Sequence, residues 1–151
     1  MIVGSIANLD NQFLKKNLYS EQHLCLFDPQ MVNLKHPVEL EEFSRVEHAL
    51  VSPDGRLETQ VDKLLAKKGF ARRVGVASRN FLTIRRLLIG RKLLCIVPKR
   101  FAQSEMDNHD LKALPAPIEV PDFDIDLVYR KAFRADEKNL WLRELVSQVI
   151  K

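Results

Sequence analysis

The chain has 151 residues, of which 46% are apolar and 29% charged, with a formal net charge of +4; that balance belongs to an ordinary globular domain long enough to bury one sizeable core. No apolar run reaches the roughly 18–20 residues of a membrane helix, and the opening Met1-Ile2-Val3-Gly4-Ser5-Ile6 lacks the basic flank of a signal peptide, so a cytoplasmic protein is expected rather than a secreted or membrane-spanning one. The basic pairs Lys67-Lys68, Arg72-Arg73, Arg85-Arg86, Arg91-Lys92 and Lys99-Arg100 fall mostly at expected helix ends and strand starts; they read as a solvated surface and not as a nucleic-acid footprint.

In chain order, Ile2 to Ile6 has the apolar look of a strand, and His23 to Phe27 forms a short apolar one. Pro37, a good first-turn residue, precedes a helix over Val38 to Val46 with Leu40, Phe43 and Val46 on one face. His48 to Val51 is the next strand, ended by the turn Ser52-Pro53-Asp54-Gly55; the following helix carries Leu57, Val61, Leu64 and Leu65 and stops at Gly69. Val74 to Ala77 is a third strand. A helix starting near Ser78 or Asn80, with Phe81, Ile84, Leu87 and Leu88 on its apolar face, runs to Gly90, and Leu93 to Val97 follows as a strand buried on both faces. Three consecutive strand-helix units of roughly 25 residues predict an α/β fold with a doubly wound, mostly parallel sheet.

After Pro98 the pattern changes. Residues 103–110 are polar and read as a loop or frayed helix end, and Pro115, Pro117 and Pro121 punctuate an extended stretch between lobes. From Asp122 to Tyr129 the alternation is strict, placing Phe123, Ile125, Leu127 and Tyr129 on a buried face and Asp122, Asp124 and Asp126 on a wet one. Asp136 can cap a final helix whose stripe of Trp141, Leu145 and Val149 should lie against the strands at 2–6 and 122–129.

Cys25 and Cys95 sit in apolar strands with no Cys or His at metal spacing and read as buried free thiols. His23, His36, His48 and His109 are scattered, with no carboxylate or Cys at the spacing of a metal site or triad. Asp122, Asp124 and Asp126 lack the glycine-bearing loop of a cation site, no phosphate-binding glycine motif is present, and Ser52 has no visible base. Neither an enzyme, a metal nor a cofactor is expected.

The run His48-Ala49-Leu50-Val51-Ser52-Pro53-Asp54-Gly55-Arg56, followed by Val61-Asp62-Lys63-Leu64-Leu65 and Gly69, resembles the effector-binding domain of LysR-type transcription regulators. The likeness continues in order through Arg72-Arg73-Val74, Asn80-Phe81-Leu82, Leu94-Cys95-Ile96-Val97-Pro98-Lys99-Arg100, Leu114-Pro115 with Leu127-Val128-Tyr129, and Trp141-Leu142-Arg143, covering about residues 20–148. The resemblance implies a type 2 periplasmic-binding-protein-like fold, with two α/β lobes and a small effector, often an aromatic or carboxylate metabolite, held between them. It implies one complete lobe at 21–114 and a remnant of the first lobe with its crossover at 1–20 and 115–151. It further implies homodimerisation, and DNA binding only through a helix-turn-helix domain absent from this chain. The alternative is a truncated interaction protein that pairs with itself or with a full-length sibling.

Ligands of doubly wound sheets bind beyond the carboxyl ends of the strands. Ser52, Asp54, Gly55 and Arg56 lie there, running into a helix whose first N–H groups favour an anion, with Arg56 adding a charge-assisted bond; the same residues also read as a plain Asp-Gly turn with Arg56 in solvent. Ser78, Asn80 and Phe81 enter the next helix, Asn80 offering donors and acceptors and Phe81 an apolar wall; the other reading makes Ser78 or Asn80 a cap and Phe81 core. By the resemblance, Asn80 faces the cleft. Pro98 leads into Lys99-Arg100, a pair that faces either the cleft or solvent.

Overall fold

A computed structural model describes residues 1–6 and 8–150. The elements are β1 (Ile2–Gly4), β2 (Phe13–Glu21), β3 (His23–Phe27), α1 (Leu40–Arg45), β4 (Glu47–Val51), α2 (Gln60–Lys67), β5 (Val74–Ser78), α3 (Phe81–Leu88), β6 (Leu93–Pro98), α4 (Lys99–Asn108), β7 (Lys112–Leu114), β8 (Phe123–Arg130), a 3-10 turn (Lys131–Phe133) and α5 (Glu137–Val149). They fall into two compact units, residues 22–121 and residues 1–21 with 122–151.

The larger unit is a five-stranded sheet in the order β5-β4-β6-β3-β7. β4 runs parallel to β5 and β6, whereas β3 runs antiparallel to β6 and β7, so four of the five strands run the same way, as expected of a mostly parallel sheet, and β3 runs against them. β7, reached from β6 through α4, runs the same way as β6, so β3 between them is the strand that opposes its neighbours. Alternation along the central strands divides the core in two. Cys25, Phe27 and Leu94 pack with Phe43 of α1 and Val61 and Leu65 of α2 on one face. Leu26, Ala49, Cys95 and Val97 pack with Ile84 and Leu88 of α3 and Ala102 of α4 on the other. Helices on both faces make the unit doubly wound, and each fully buried aliphatic or aromatic side chain contributes roughly 1.5–3 kcal/mol.

Of the stretch 103–110, expected as a polar loop or frayed helix end, residues 103–108 form the regular second half of α4. Only Ala102 and Glu105 of its ten residues are buried, so one narrow contact stripe on the sheet suffices and the remainder stays polar. α2 begins at Gln60, four residues after Arg56, and Leu57 stays 60% exposed instead of joining the helix face.

The smaller unit is a three-stranded antiparallel sheet, β1-β8-β2, with α5. β2 was not legible in the sequence, and its presence overturns one expectation. Asp126 of β8 is 1% exposed rather than wet, because Lys15 of β2 reaches its carboxylate at 2.9 Å. The opening strand ends at Gly4, short of the expected Ile6. α5 inverts its expected face. Arg143 is buried over the ring of Tyr129, at 4.1 Å, and donates to the backbone oxygens of Phe133 and Arg134, while Trp141, Leu145 and Val149 remain 64, 40 and 75% exposed. The guanidinium satisfies carbonyls at the preceding turn that no apolar side chain could, and its side of the helix is thereby turned inward.

Candidate functional site

Parallel pairing of β4 with β5 and β6 brings the loops that follow these strands to one edge of the sheet. Val51 is in register with Ser78, and the Ser52 N–H donates to the Ser78 carbonyl at 2.8 Å, so the first two candidate loops are hooked together. Pro98 closes β6 opposite His23 and leads straight into α4. The rings of Phe81 and Phe101, 5.7 Å apart, join the starts of α3 and α4.

The loop after β4 is closed on itself. Ser52 is buried, and its hydroxyl bonds the Arg56 carbonyl at 2.6 Å and lies 3.1 Å from Asp54 Oδ1. Gly55, at φ +80°, turns the chain in a region other residues rarely adopt. Arg56 meets Asp54 twice, by its N–H and by Nε, each at 3.2 Å. The Arg56 backbone N–H above all, then Ser52 and the guanidinium, hold the Asp54 carboxyl below its ordinary value.

The expected anion seat on helix amides directly after Gly55 does not form. Thr59 caps α2 with its hydroxyl while Asp62 accepts from the Thr59 N–H at 2.7 Å, so a capping box already engages the helix start. What the loop provides is a recess of about 300 Å³ lined by Ser52, Asp54, Arg56, Thr59, Gln60 and Lys63.

At the neighbouring loop, Asn80 caps α3, its Oδ1 accepting from the Leu82 N–H at 2.8 Å. The Ser78 hydroxyl accepts from the Asn80 N–H at 3.1 Å and bonds the Thr83 hydroxyl, which itself donates to the Asn80 carbonyl. Phe81 is half-buried against the α3–α4 side of the core. Lys99 turns to Gln22, bonding its side-chain oxygen at 3.1 Å. Replacing Asn80 with alanine removes a cap worth about 1 kcal/mol; the expected result is a fall of that size in unfolding free energy, read by urea denaturation, without loss of the fold.

A buried polar cluster behind the recess was missed. Arg72, with its side chain 1% exposed, forks onto Asp62 at 2.8 and 2.9 Å and reaches Thr59 Oγ1 at 3.0 Å and His48 Nδ1 at 3.3 Å. His48 Nε2 donates to the Phe43 carbonyl at 2.9 Å, which leaves Nδ1 as the acceptor for Arg72. Burial first, helped by the Arg72 charge, lowers the His48 pKa to about 4. Burial works to raise that of Asp62, but the bonds from Arg72 and Thr59 outweigh it and hold the carboxyl at about 2. The sequence signal was the Arg72-Arg73 pair entering a strand: successive side chains point opposite ways, so one arginine goes inward while Arg73 stays outside on Glu47 at 2.8 Å.

Both cysteines are buried free thiols, and burial pushes each pKa up to about 12. Among the described residues no three His, Cys, Asp or Glu side chains are grouped to hold a metal ion, and no helix is long and apolar enough to cross a membrane.

The chain matches the model of the LysR substrate binding domain over residues 1–151. It is 30% identical over 149 residues to the HTH-type transcriptional activator NagR of a Ralstonia species, covering 99% of this chain and 50% of that protein. It is 27% identical over 146 residues to the transcriptional activator NahR of Pseudomonas putida, covering 97% and 49%. The chain thus spans about half the length of these regulators. Among solved structures it is similar to the regulatory domain of MexT, a transcriptional activator of Pseudomonas aeruginosa, with a TM-score of 0.81, 27% identity and coverage of 97% of this chain and 70% of that one. The CrgA regulatory domain of Neisseria meningitidis shares the fold at 11% identity, with a TM-score of 0.76 and coverage of 99% and 74%. Its doubly wound unit, the ordered run of matching segments and the match along its whole length together place this chain in the LysR substrate-binding domain family.

Proposed function

We propose that the chain senses a small carboxylate effector, aromatic or aliphatic, at the recess beyond β4 and its neighbouring loops, with Ser52, Asp54, Gly55, Arg56, Ser78, Asn80, Phe81 and Pro98 forming or framing the seat. LysR regulators bind small-molecule effectors and act as oligomers on DNA; the matched relatives are transcriptional regulators, and in this reading the chain works by binding in the cytoplasm, catalyses nothing, and contacts no DNA itself. The observation that carries the reading is the hook between Ser52 and Ser78, which sets two polar loops side by side at a recess where Arg56 and Lys63 stand beside the carboxylates Asp54 and Glu58. An effector that fits one arrangement of these loops better than another shifts the population toward it. Titration calorimetry with benzoate and its neutral analogue benzamide tests this: benzoate binds at one site and weakens at least tenfold in Arg56→Ala, while benzamide binds poorly to both. Equal heats for the two compounds, or benzoate affinity indifferent to Arg56, would overturn it.

The exposed α5 stripe supports a second role, self-association. Trp141, Leu142, Leu145 and Val149 point to solvent on one side of a 13-residue helix, and monomers rarely leave such a stripe uncovered. The expected result is a mass by light scattering that rises with concentration and stays at the monomer value in Leu145→Glu; a monomer at all concentrations contradicts it.

A further inference from the structure

The capping box of Thr59 and Asp62 could engage the start of α2 without any reference to the sheet. Arg72 supplies the reference. It enters from the segment before β5, spans Asp62 with two nitrogens, bonds Thr59, and rests on His48 of β4. A guanidinium fork fixes both distance and plane, and its burial shields it from competing water.

We infer that Arg72 is a positioning residue for the recess: it fixes the first turn of α2, and with it Thr59, Gln60 and Lys63, against the β4 loop carrying Ser52 and Arg56. The opposite wall is already tied down by Ser52 through its bonds to Arg56 and to Ser78. On the α2 wall, Val61 and Leu65 pack into the core, while the cap residues Thr59 and Asp62 bond each other and Arg72. The consequence for ligand affinity rests on the reading of the recess as the effector site, whereas the consequence for the order of α2 does not.

Arg72→Lys keeps the charge and loses the fork. In the full chain, amide exchange at Val61, Asp62 and Lys63 is expected to quicken at least tenfold while that of Ile84 to Leu88 in α3 stays within twofold, and the benzoate dissociation constant rises at least tenfold. Leu88→Ala, which removes core packing from the other face of the sheet, keeps benzoate affinity within twofold and so separates positioning from general destabilisation. Should Arg72→Lys fail to fold, His48→Leu asks the same question, since it removes the β4 partner of Arg72 and leaves the Thr59 cap in place: it quickens first-turn exchange in α2. Unchanged first-turn exchange in Arg72→Lys or in His48→Leu, or equal loss of affinity in Leu88→Ala, overturns the inference. Failure of the wild type to bind benzoate counts against the recess reading alone, since the exchange measurement still decides the role of Arg72.

Discussion

Phe43→Ala is expected to lower the unfolding free energy by about 3–5 kcal/mol, the range for truncating a buried phenylalanine. Phe43 is fully buried and is the only buried residue of α1, a helix of six residues too short to persist without tertiary contacts. Its ring meets His48 edge-on, with centroids 4.7 Å apart, and its carbonyl accepts the bond that fixes the histidine tautomer. Truncation therefore leaves a cavity in the core cluster that also holds Cys25, Phe27 and Leu65, and loosens α1 together with the histidine. Against a total stability of about 5–15 kcal/mol for an ordinary domain, that loss is large. Glu41→Ala, which removes only an exposed pair with Arg45, costs under about 0.5 kcal/mol. Urea unfolding of the two variants checks both values; a similar loss in each would mean that α1 is not anchored as described.

The second large effect is loss of stability in mild acid. His48 titrates near 6.5 when unfolded but near 4 when folded. Between these values the unfolded chain takes up a proton that the folded chain refuses, so stability falls as pH drops through 6.5 and levels off below 4. At about 1.36 kcal/mol per unit, the full loss is of order 3 kcal/mol. Asp62 adds to it lower down: its folded value lies below the unfolded one, so its contribution is present above the unfolded value of 3.8 and disappears as pH falls through about 2. His48→Gln is expected to be less stable at pH 7 yet to lose correspondingly less between pH 6.5 and 4. Urea midpoints across that range check the difference, and identical slopes for the two proteins would contradict it.

What could be read in advance follows from how each residue declares itself. The two-faced strands β3 and β6 and the helix α3 carry apolar residues at the spacing that burial requires, and Asn80 and Asp136 are caps recognisable from residue type. β2 was invisible because Lys15, Lys16 and Asn17 interrupt any alternation; its partner β8 is what makes Lys15 belong there. α5 misled for the opposite reason, since its apolar stripe is real but Arg143 finds carbonyls inside. At the candidate site the sequence located the loops, because turn residues and strand ends mark them. It missed the exact start of α2, which depends on Thr59 and Asp62 cooperating, and it missed Arg72, whose burial depends on partners 10, 13 and 24 positions away.

The most direct measurement is a residue-resolved amide chemical-shift titration of the full chain with benzoate. Saturable shifts are predicted at Ser52 to Lys63 and Ser78 to Phe81, with the recess lined by Asp28, Met106 and His109 at the far end of the sheet unmoved. Shifts centred on that far recess, or none at the β4 and β5 loops for any small carboxylate, would contradict effector sensing at this edge.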